Sequence, residues 1–567
     1  MPLRERQEIQ ELLRAKCLTS DPPVGGSGSS PTVGAKTGRL GWNRALQSAR
    51  AWLFPVVTGL LLASAFPPFN VSQSAWLAIV PLLFALEDCA AKQAFRRGYA
   101  AGFVFFGSTI WWTVYTTVAG APLFLALLGT VALVAFLALY FGLASVGWMK
   151  LRAALDDRTD TVSRNLLLAV MGTAGWVTLE WVRGVFPFGG FSWNFIGVAL
   201  WQSAPLFQFS SVTGVYGVSA LVCFVNFALY FTLRRFLRQM REPETGQRLS
   251  WEFYAAMVLV CAAFLHGWHD IQRVESRKTL RLAVAQGNIP QTLKFVASEK
   301  PMILERYRTL TEIVIMNRPD LIIWPETAVP DRLRYDPESS SMVADLVARA
   351  HVPLFTGTLD SDPVADGTAY YNAAMFVLPD GTLQGIYHKI HLVPFGEYVP
   401  MRKALPFMKW LTPIPDSFER GHQYTLFRVN DVSFGAVICF EDTAAGLYRQ
   451  FVKRGAEFMV NLTNDAWFKT SPAAEMHLAN AVFRAAENHR PLVRVTNHGM
   501  TCVVDEFGIV RERLTPFSEG AANWELPVSL ARTQTFYTRF GDVFVAGCAM
   551  MTALSIAVAL FRRPATG

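Results

Sequence analysis

The sequence predicts a polytopic α-helical membrane domain joined to one water-soluble α/β domain. Three observations carry this prediction. Apolar residues make up 52% of the 567-residue chain and charged residues only 17%, a balance shifted well away from that of soluble domains. The apolar excess is concentrated between residues 51 and 268 and again in a run from Val543 to Phe561. Between these regions, residues 278 to 535 alternate strand-like and helix-like runs, the pattern of a layered α/β domain.

Taken in order, residues 1–50 contain no apolar stretch of the kind a signal peptide needs, and their PPVGGSGSSPTVG segment reads as a flexible cytoplasmic tether. A spanning helix needs about 20 mostly apolar residues. Eight candidates follow: 51–67, 74–90, 97–118, 122–148, 163–183, 204–233, 252–268 and 542–561, so that seven helices form a transmembrane domain at 51–268 and an eighth closes the chain. Every second connection is basic, for example Lys92, Arg96 and Arg97, then Lys150, Arg152, Arg158 and Arg164, then Arg234, Arg235, Arg238 and Arg241. Because Lys and Arg concentrate on the cytoplasmic side, both termini are expected there and the segment 270–541 on the opposite face. The formal net charge is +8, but the basic residues follow the apolar segments instead of forming one stripe, which argues against a nucleic-acid partner.

The soluble block, read as one domain at 278–535, has candidate strands at 280–286, 321–324, 352–357, 372–378, 432–439, 457–463, 491–497 and 501–505. Candidate helices lie near 299–317, 339–350, 443–454 and 472–489. The seven cysteines are scattered, with no CxxC and no His/Cys grouping at metal-ligand spacing, so neither a disulfide framework nor a metal or other cofactor is expected.

Three motifs in this block carry chemistry: LIIWPET around Glu326, YHKIHLVPFGEYVP around Lys389 and VSFGAVICFED around Cys439. Glu326 and Cys439 each follow a strand, where α/β sheets place reacting groups. A cysteine entering a helix beside a lysine should have its thiolate favoured. Alone, each residue has a plainer reading: a buried inert thiol, a turn carboxylate, a solvated ammonium. A carboxylate, a cation and a thiol in one folded block instead suggest acyl chemistry by a cysteine nucleophile.

At these residues the chain resembles the nitrilase superfamily, whose Glu-Lys-Cys triad matches Glu326, Lys389 and Cys439. With its flanking helices it resembles the membrane-embedded apolipoprotein N-acyltransferase branch, through QGNIPQ (286–291), HLVPFGEYVP (391–400), LTNDAWF (462–468), RPLVRVTNHG (490–499), EWVRG (180–184) and GGFSW (189–193). The resemblance implies a nitrilase-like αββα sandwich for the soluble domain. It implies Glu326 as general base, Cys439 as the nucleophile carrying an acyl thioester, and Lys389 as oxyanion stabiliser. Glu397 is expected to orient Lys389 and substrate. Glu441 serves either the reaction or the loop after Cys439, and Asn464 and Trp467 support the site. Phe295 and Phe440 stand where the family commonly has Trp and Tyr, which removes one indole N–H and one phenolic hydroxyl.

The implied partners are a phospholipid acyl donor and a diacylated apolipoprotein acceptor. The implied location is the bacterial inner membrane, with the catalytic domain periplasmic. The apolar segment 405–418 is expected either to dip into lipid as a lid or to pack on the domain, and Glu180 with Arg183, three apart on one helix, to form an interfacial ion pair. A membrane-tethered amidase using the same triad is the alternative activity, and a transporter or scaffold with an inactive domain the alternative class. The near absence of ionisable residues from the apolar segments argues against a transporter.

Overall fold

The computed structural model describes residues 51–116, 123–155, 161–241, 249–273, 277–365, 367–400, 417–529 and 533–561. The N-terminal tether and residues 405–416 of the expected lid lie outside the described residues. The membrane half begins with α1 (Ala51–Ser64), α2 (Val80–Ala85) and α3 (Ala91–Thr109). It continues with α4 (Leu123–Ala154), α5 (Val162–Val185), α6 (Val215–Arg241) and α7 (Trp251–Ile271).

All eight apolar segments hold helix, though these helices differ in length and apolarity. Among the described residues five helices are long and apolar enough to cross a membrane: α4 to α7 and the C-terminal helix Val543–Phe561. At 1.5 Å per residue α1 reaches only about 20 Å, against a hydrocarbon core of about 30 Å. The sixth expected helix starts late, at Val215. Two single helical turns precede it, and Gly214, at φ +68°, breaks the run. A Cβ there would also lie 2.7 Å from the ring of Tyr537, so the close approach requires glycine. Small residues likewise let α3 meet α4, where a Cβ on Gly98 would lie 2.1 Å from Ser145 Oγ. A buried Arg235–Glu252 ion pair of 2.7 Å ties α6 to α7.

The soluble half is two mixed sheets. In the first, β1 (Arg277–Gln286), β2 (Leu321–Ile323), β3 (Val329–Arg332), β4 (Leu354–Val364), β5 (Gly367–Val377) and β6 (Leu383–His388) are joined by β13 (Gly520–Ser529) in the order β13-β1-β2-β4-β5-β6, with β3 paired to β4. The second runs β12-β11-β10-β9-β8-β7, from β7 (Leu426–Val429), β8 (Val432–Ile438), β9 (Phe458–Thr463), β10 (Leu492–Thr496), β11 (Cys502–Val504) and β12 (Val510–Arg513).

Strand periodicity explains the layers. Leu282 and Val284 of β1 join a cluster with Phe427 and Phe434 of the second sheet, whereas Ala283 and Ala285 pack with α8 (Lys300–Ile315) and α9 (Pro337–Ala350). Between the sheets Phe355 and Phe376 meet Phe434 at ring distances of 5.2 and 5.7 Å. On the far face of the second sheet lie α10 (Ala445–Lys453) and α11 (Ala473–Asn488), completing the αββα sandwich. All of α11 except Glu475 is buried because the membrane half covers its other side. Phe483 packs on Phe207 at 5.0 Å, and Glu487 accepts the Val215 N–H at 2.8 Å. From β13 the chain returns through α12 (Phe536–Phe540) to the membrane helix α13 (Val543–Phe561).

Candidate active site

Glu326 lies just past β2, Lys389 is the first residue after β6, and Cys439 is the first residue after β8. The two sheets thus present them from facing layers. Asn372 of β5 binds the carboxylates together: its amide donates one hydrogen to Glu326 Oε1 at 2.8 Å and the other to Glu397 Oε1 at 2.9 Å. Lys389 Nζ sits 2.9 Å from Glu397 Oε1 and 3.9 Å from Glu326 Oε1. Burial works against the Lys389 charge, but Glu397 and Glu326 outweigh it and hold the ammonium above its usual range. Glu326 Oε2 is buried with no hydrogen-bond partner, leaving the carboxylate one free acceptor.

Cys439 adopts φ +52° at the strand-to-turn corner, a conformation sparsely populated by side-chain-bearing residues and often held at reactive centres. The structure reverses the expectation of a favoured thiolate. Burial pushes the thiol well above its ordinary value and the negative Glu326 adds to the shift, while Lys389 and a hydrogen bond from Thr463 only partly offset them. The helix start supplies little, because residues 439–443 form a short 3₁₀ turn and the first α-helix begins at Ala445. The arrangement is a neutral thiol, a carboxylate with a free oxygen able to take its proton, and a fixed cation able to receive negative charge on an acyl oxygen.

The other sequence-derived candidates fall around this centre. Besides binding Lys389, Glu397 accepts the Val393 N–H at 2.8 Å, which fixes its loop. Glu441 accepts from Tyr387 Oη (2.9 and 2.8 Å) and from the backbone N–H groups of Ile390, His391 and Ile438 (2.8, 2.8 and 2.7 Å). It clamps the loop after Lys389 onto the corner before Cys439. Burial pushes Glu441 up to about 7, against donors that all favour the carboxylate. Phe440 is half-buried and stacks on His391 at 5.6 Å; His391 is held down at about 4 by burial and by Lys389, hence neutral at pH 7. Phe295 is 53% exposed. Asn464 is buried and bonded to Gln291 (2.6 Å) and Asn497 (2.9 Å), whereas Trp467 lies half-buried in the adjoining turn.

Sequence reading gave no role to Asn372, Thr463, Tyr387 or Lys294, although the last three lie within the quoted motifs or beside Phe295. A polar residue inside an apolar strand is the one signal that marks Asn372 and Thr463. It also missed a buried charge network beneath the corner. Arg494 reaches Asp442 (2.6 Å) and Asp465 (3.1 Å), and His477 lies between the same carboxylates at 2.8 and 3.0 Å, with Nε2 3.2 Å from the Cys439 carbonyl. Trp193, from the membrane-half GGFSW motif, covers His477 at 5.4 Å. Arg494→Met should therefore destabilise the fold by about 3–5 kcal/mol, because two buried carboxylates lose their cation. Denaturant unfolding in detergent tests this; a loss below about 1 kcal/mol would contradict it.

Glu180 and Arg183 do not form the expected ion pair. Glu180 accepts from Trp176 Nε1 (3.1 Å) and Ile196 N (2.8 Å). Arg183 donates to the carbonyls of Phe191 and Trp193 at 3.0 and 2.6 Å, between the rings of Phe106 and Phe195. Both shape the 191–196 segment that delivers Trp193, because its backbone carbonyls and the Ile196 N–H take the guanidinium and the carboxylate as partners in place of each other.

Comparison with known proteins agrees with this architecture. Residues 58–228 match the apolipoprotein N-acyltransferase N-terminal domain, and residues 281–535 match the carbon-nitrogen hydrolase domain. The chain is 34% identical to the apolipoprotein N-acyltransferase of Geobacter metallireducens over 91% of its own length and 96% of that protein's. It is 30% identical to that of Brucella melitensis, covering 86% and 90%, and 32% identical to that of Methylococcus capsulatus, covering 81% and 86%. With the five long apolar helices among its described residues, these relatives make it a multi-pass bacterial membrane protein.

Proposed function

Since the chain belongs to the apolipoprotein N-acyltransferase family, we propose that it moves a fatty acyl group from a membrane phospholipid to the α-amine of a diacylglyceryl-cysteine at a lipoprotein N-terminus. The observation that carries the mechanism is the free, buried oxygen of Glu326 in a site that also holds a neutral thiol and a cation fixed by Glu397. Glu326 takes the Cys439 proton as sulfur attacks the ester carbonyl. Lys389 stabilises the resulting oxyanion, the carbon–oxygen bond breaks, and Glu326 returns the proton to the departing lysophospholipid alcohol. The lipoprotein amine then attacks the thioester. Its proton passes through Glu326 to the leaving thiolate, and the carbon–sulfur bond breaks.

Such a ping-pong cycle needs both lipid-anchored substrates at one membrane surface. Alternating basic connections favour a periplasmic catalytic domain and cytoplasmic termini in the inner membrane. Exposed Phe186, Phe188 and Phe395 supply an apolar rim that suits lipid-anchored substrates. The test is incubation of purified protein with acyl-labelled phospholipid and a diacylated lipopeptide. Triacylated product is expected; free fatty acid as the sole labelled product would replace transfer by hydrolysis.

A further inference from the structure

Lys294 is 1% exposed, lies on the loop between β1 and α8, and donates from Nζ to the main-chain carbonyl of Glu326 at 2.7 Å. Among the described residues that is its one hydrogen bond. An ammonium has three N–H donors, so two remain for whatever forms in the site. Burying a cation this deeply is costly unless nearby negative charge compensates for it. The ionisable side chains that act on it are those of Glu326, which carries a negative charge, and Cys439, which gains one only when its thiol gives up its proton. Lys389, in contrast, is already committed to Glu397 at 2.9 Å.

From this geometry we infer that Lys294 is a second cation of the active site, one that holds the general-base loop through the Glu326 carbonyl and stabilises negative charge on the Cys439 sulfur. The inference rests on the reading of Cys439 as nucleophile. Lys389 then answers to the acyl oxyanion and Lys294 to the sulfur, which divides between two cations the charge that moves from one atom to the other. No proton leaves Lys294 in the cycle: the thiol proton goes to Glu326, and Lys294 acts by charge and hydrogen bonding. Burial lowers it to about 8, with Glu326 and Cys439 opposing the shift, so it loses its proton at mildly alkaline pH, where its support of the sulfur ends.

The test compares Lys294→Met and Lys294→Gln with the parent protein in detergent, reading the rate at which iodoacetamide alkylates Cys439 between pH 6 and 10. Without the buried cation the thiol ionises less readily, so both variants are alkylated more slowly than the parent between pH 6 and about 8, and the profiles converge above, where Lys294 of the parent is itself neutral. An effect equivalent to one pH unit on the thiol would reduce alkylation about tenfold in the neutral range. Gln restores a donor to the Glu326 carbonyl but no charge, so it is expected to behave like Met. Recovery by Gln would reduce Lys294 to a structural hydrogen bond and overturn the inference, as would alkylation at the parent's rate below pH 8 in both variants. If the Met variant does not fold, the Gln variant alone still removes the charge. Alkylation reads the thiol and not turnover. A wrong substrate assignment would leave the outcome intact, whereas an unreactive Cys439 in the parent protein would refute the nucleophile reading itself.

Discussion

Cys439→Ala is expected to leave a folded protein that accepts no acyl group. In the parent, phospholipid alone should add the mass of one fatty acyl chain to the peptide containing Cys439; in the variant that adduct disappears. Transfer to a lipopeptide should then fall by at least about 10³-fold, the scale seen when a covalent nucleophile is deleted and only binding and oxyanion stabilisation remain. The fold should survive, because the side chain contributes one hydrogen bond with Thr463 and little volume, and alanine meets the same backbone strain at φ +52° as cysteine does. Cys439→Ser should be nearly as inactive, since a hydroxyl is harder to ionise than a thiol that burial already keeps neutral. Acyl transfer by the alanine variant at a rate within tenfold of the parent would remove the thioester from the mechanism.

Much of this was legible in the sequence, and the failures have physical causes. Strands β1, β4, β5, β8, β9 and β10 show up as apolar or alternating runs because one face meets the opposite sheet and the other meets helices. Strands β3, β6, β7, β12 and β13 escape that reading. VPDR, LQGIYH, LFRV and VRER are short or mostly polar, and GAANWELPVS carries Pro527 and two charge-bearing or amide positions within an edge strand. The apolar membrane segments were visible, but whether an apolar run spans a bilayer depends on where the helix starts, and Gly214 delays one by about ten residues.

In the site, Glu326 and Cys439 stood out as reactive residue types at strand ends, and Lys389 through its YHKIHLVPFGEYVP motif. Asn372, which bonds two of the site's carboxylates, sits in an apolar strand with nothing but its polarity to mark it. The protonation state of Cys439 was misread for a related reason. A neighbouring lysine is visible along the chain, whereas the burial and the Glu326 charge that outweigh it exist only once the sheets meet.

That neutral thiol makes Glu326→Gln the second large effect expected. Glutamine is nearly isosteric. Its carbonyl can still accept from Asn372, and its amide takes the place of the unpartnered Oε2. The acceptor for the thiol proton becomes a donor. Acylation of Cys439 by phospholipid should therefore fall by about 10²–10⁴-fold, the usual range for a general base. The electrostatic consequence runs the other way. In the parent the Glu326 charge raises the thiol's pKa, so removing it should make Cys439 easier to ionise at equilibrium. The variant should thus show a thiol pKa lower than the parent's, read from thiolate absorbance across alkaline pH, together with slower acyl transfer at pH 7. A group that merely repelled the thiolate would, when removed, speed both processes. A base must slow the transfer while it eases the ionisation. Parallel movement of the two readings would dismiss Glu326 as the base and require another acceptor for the proton.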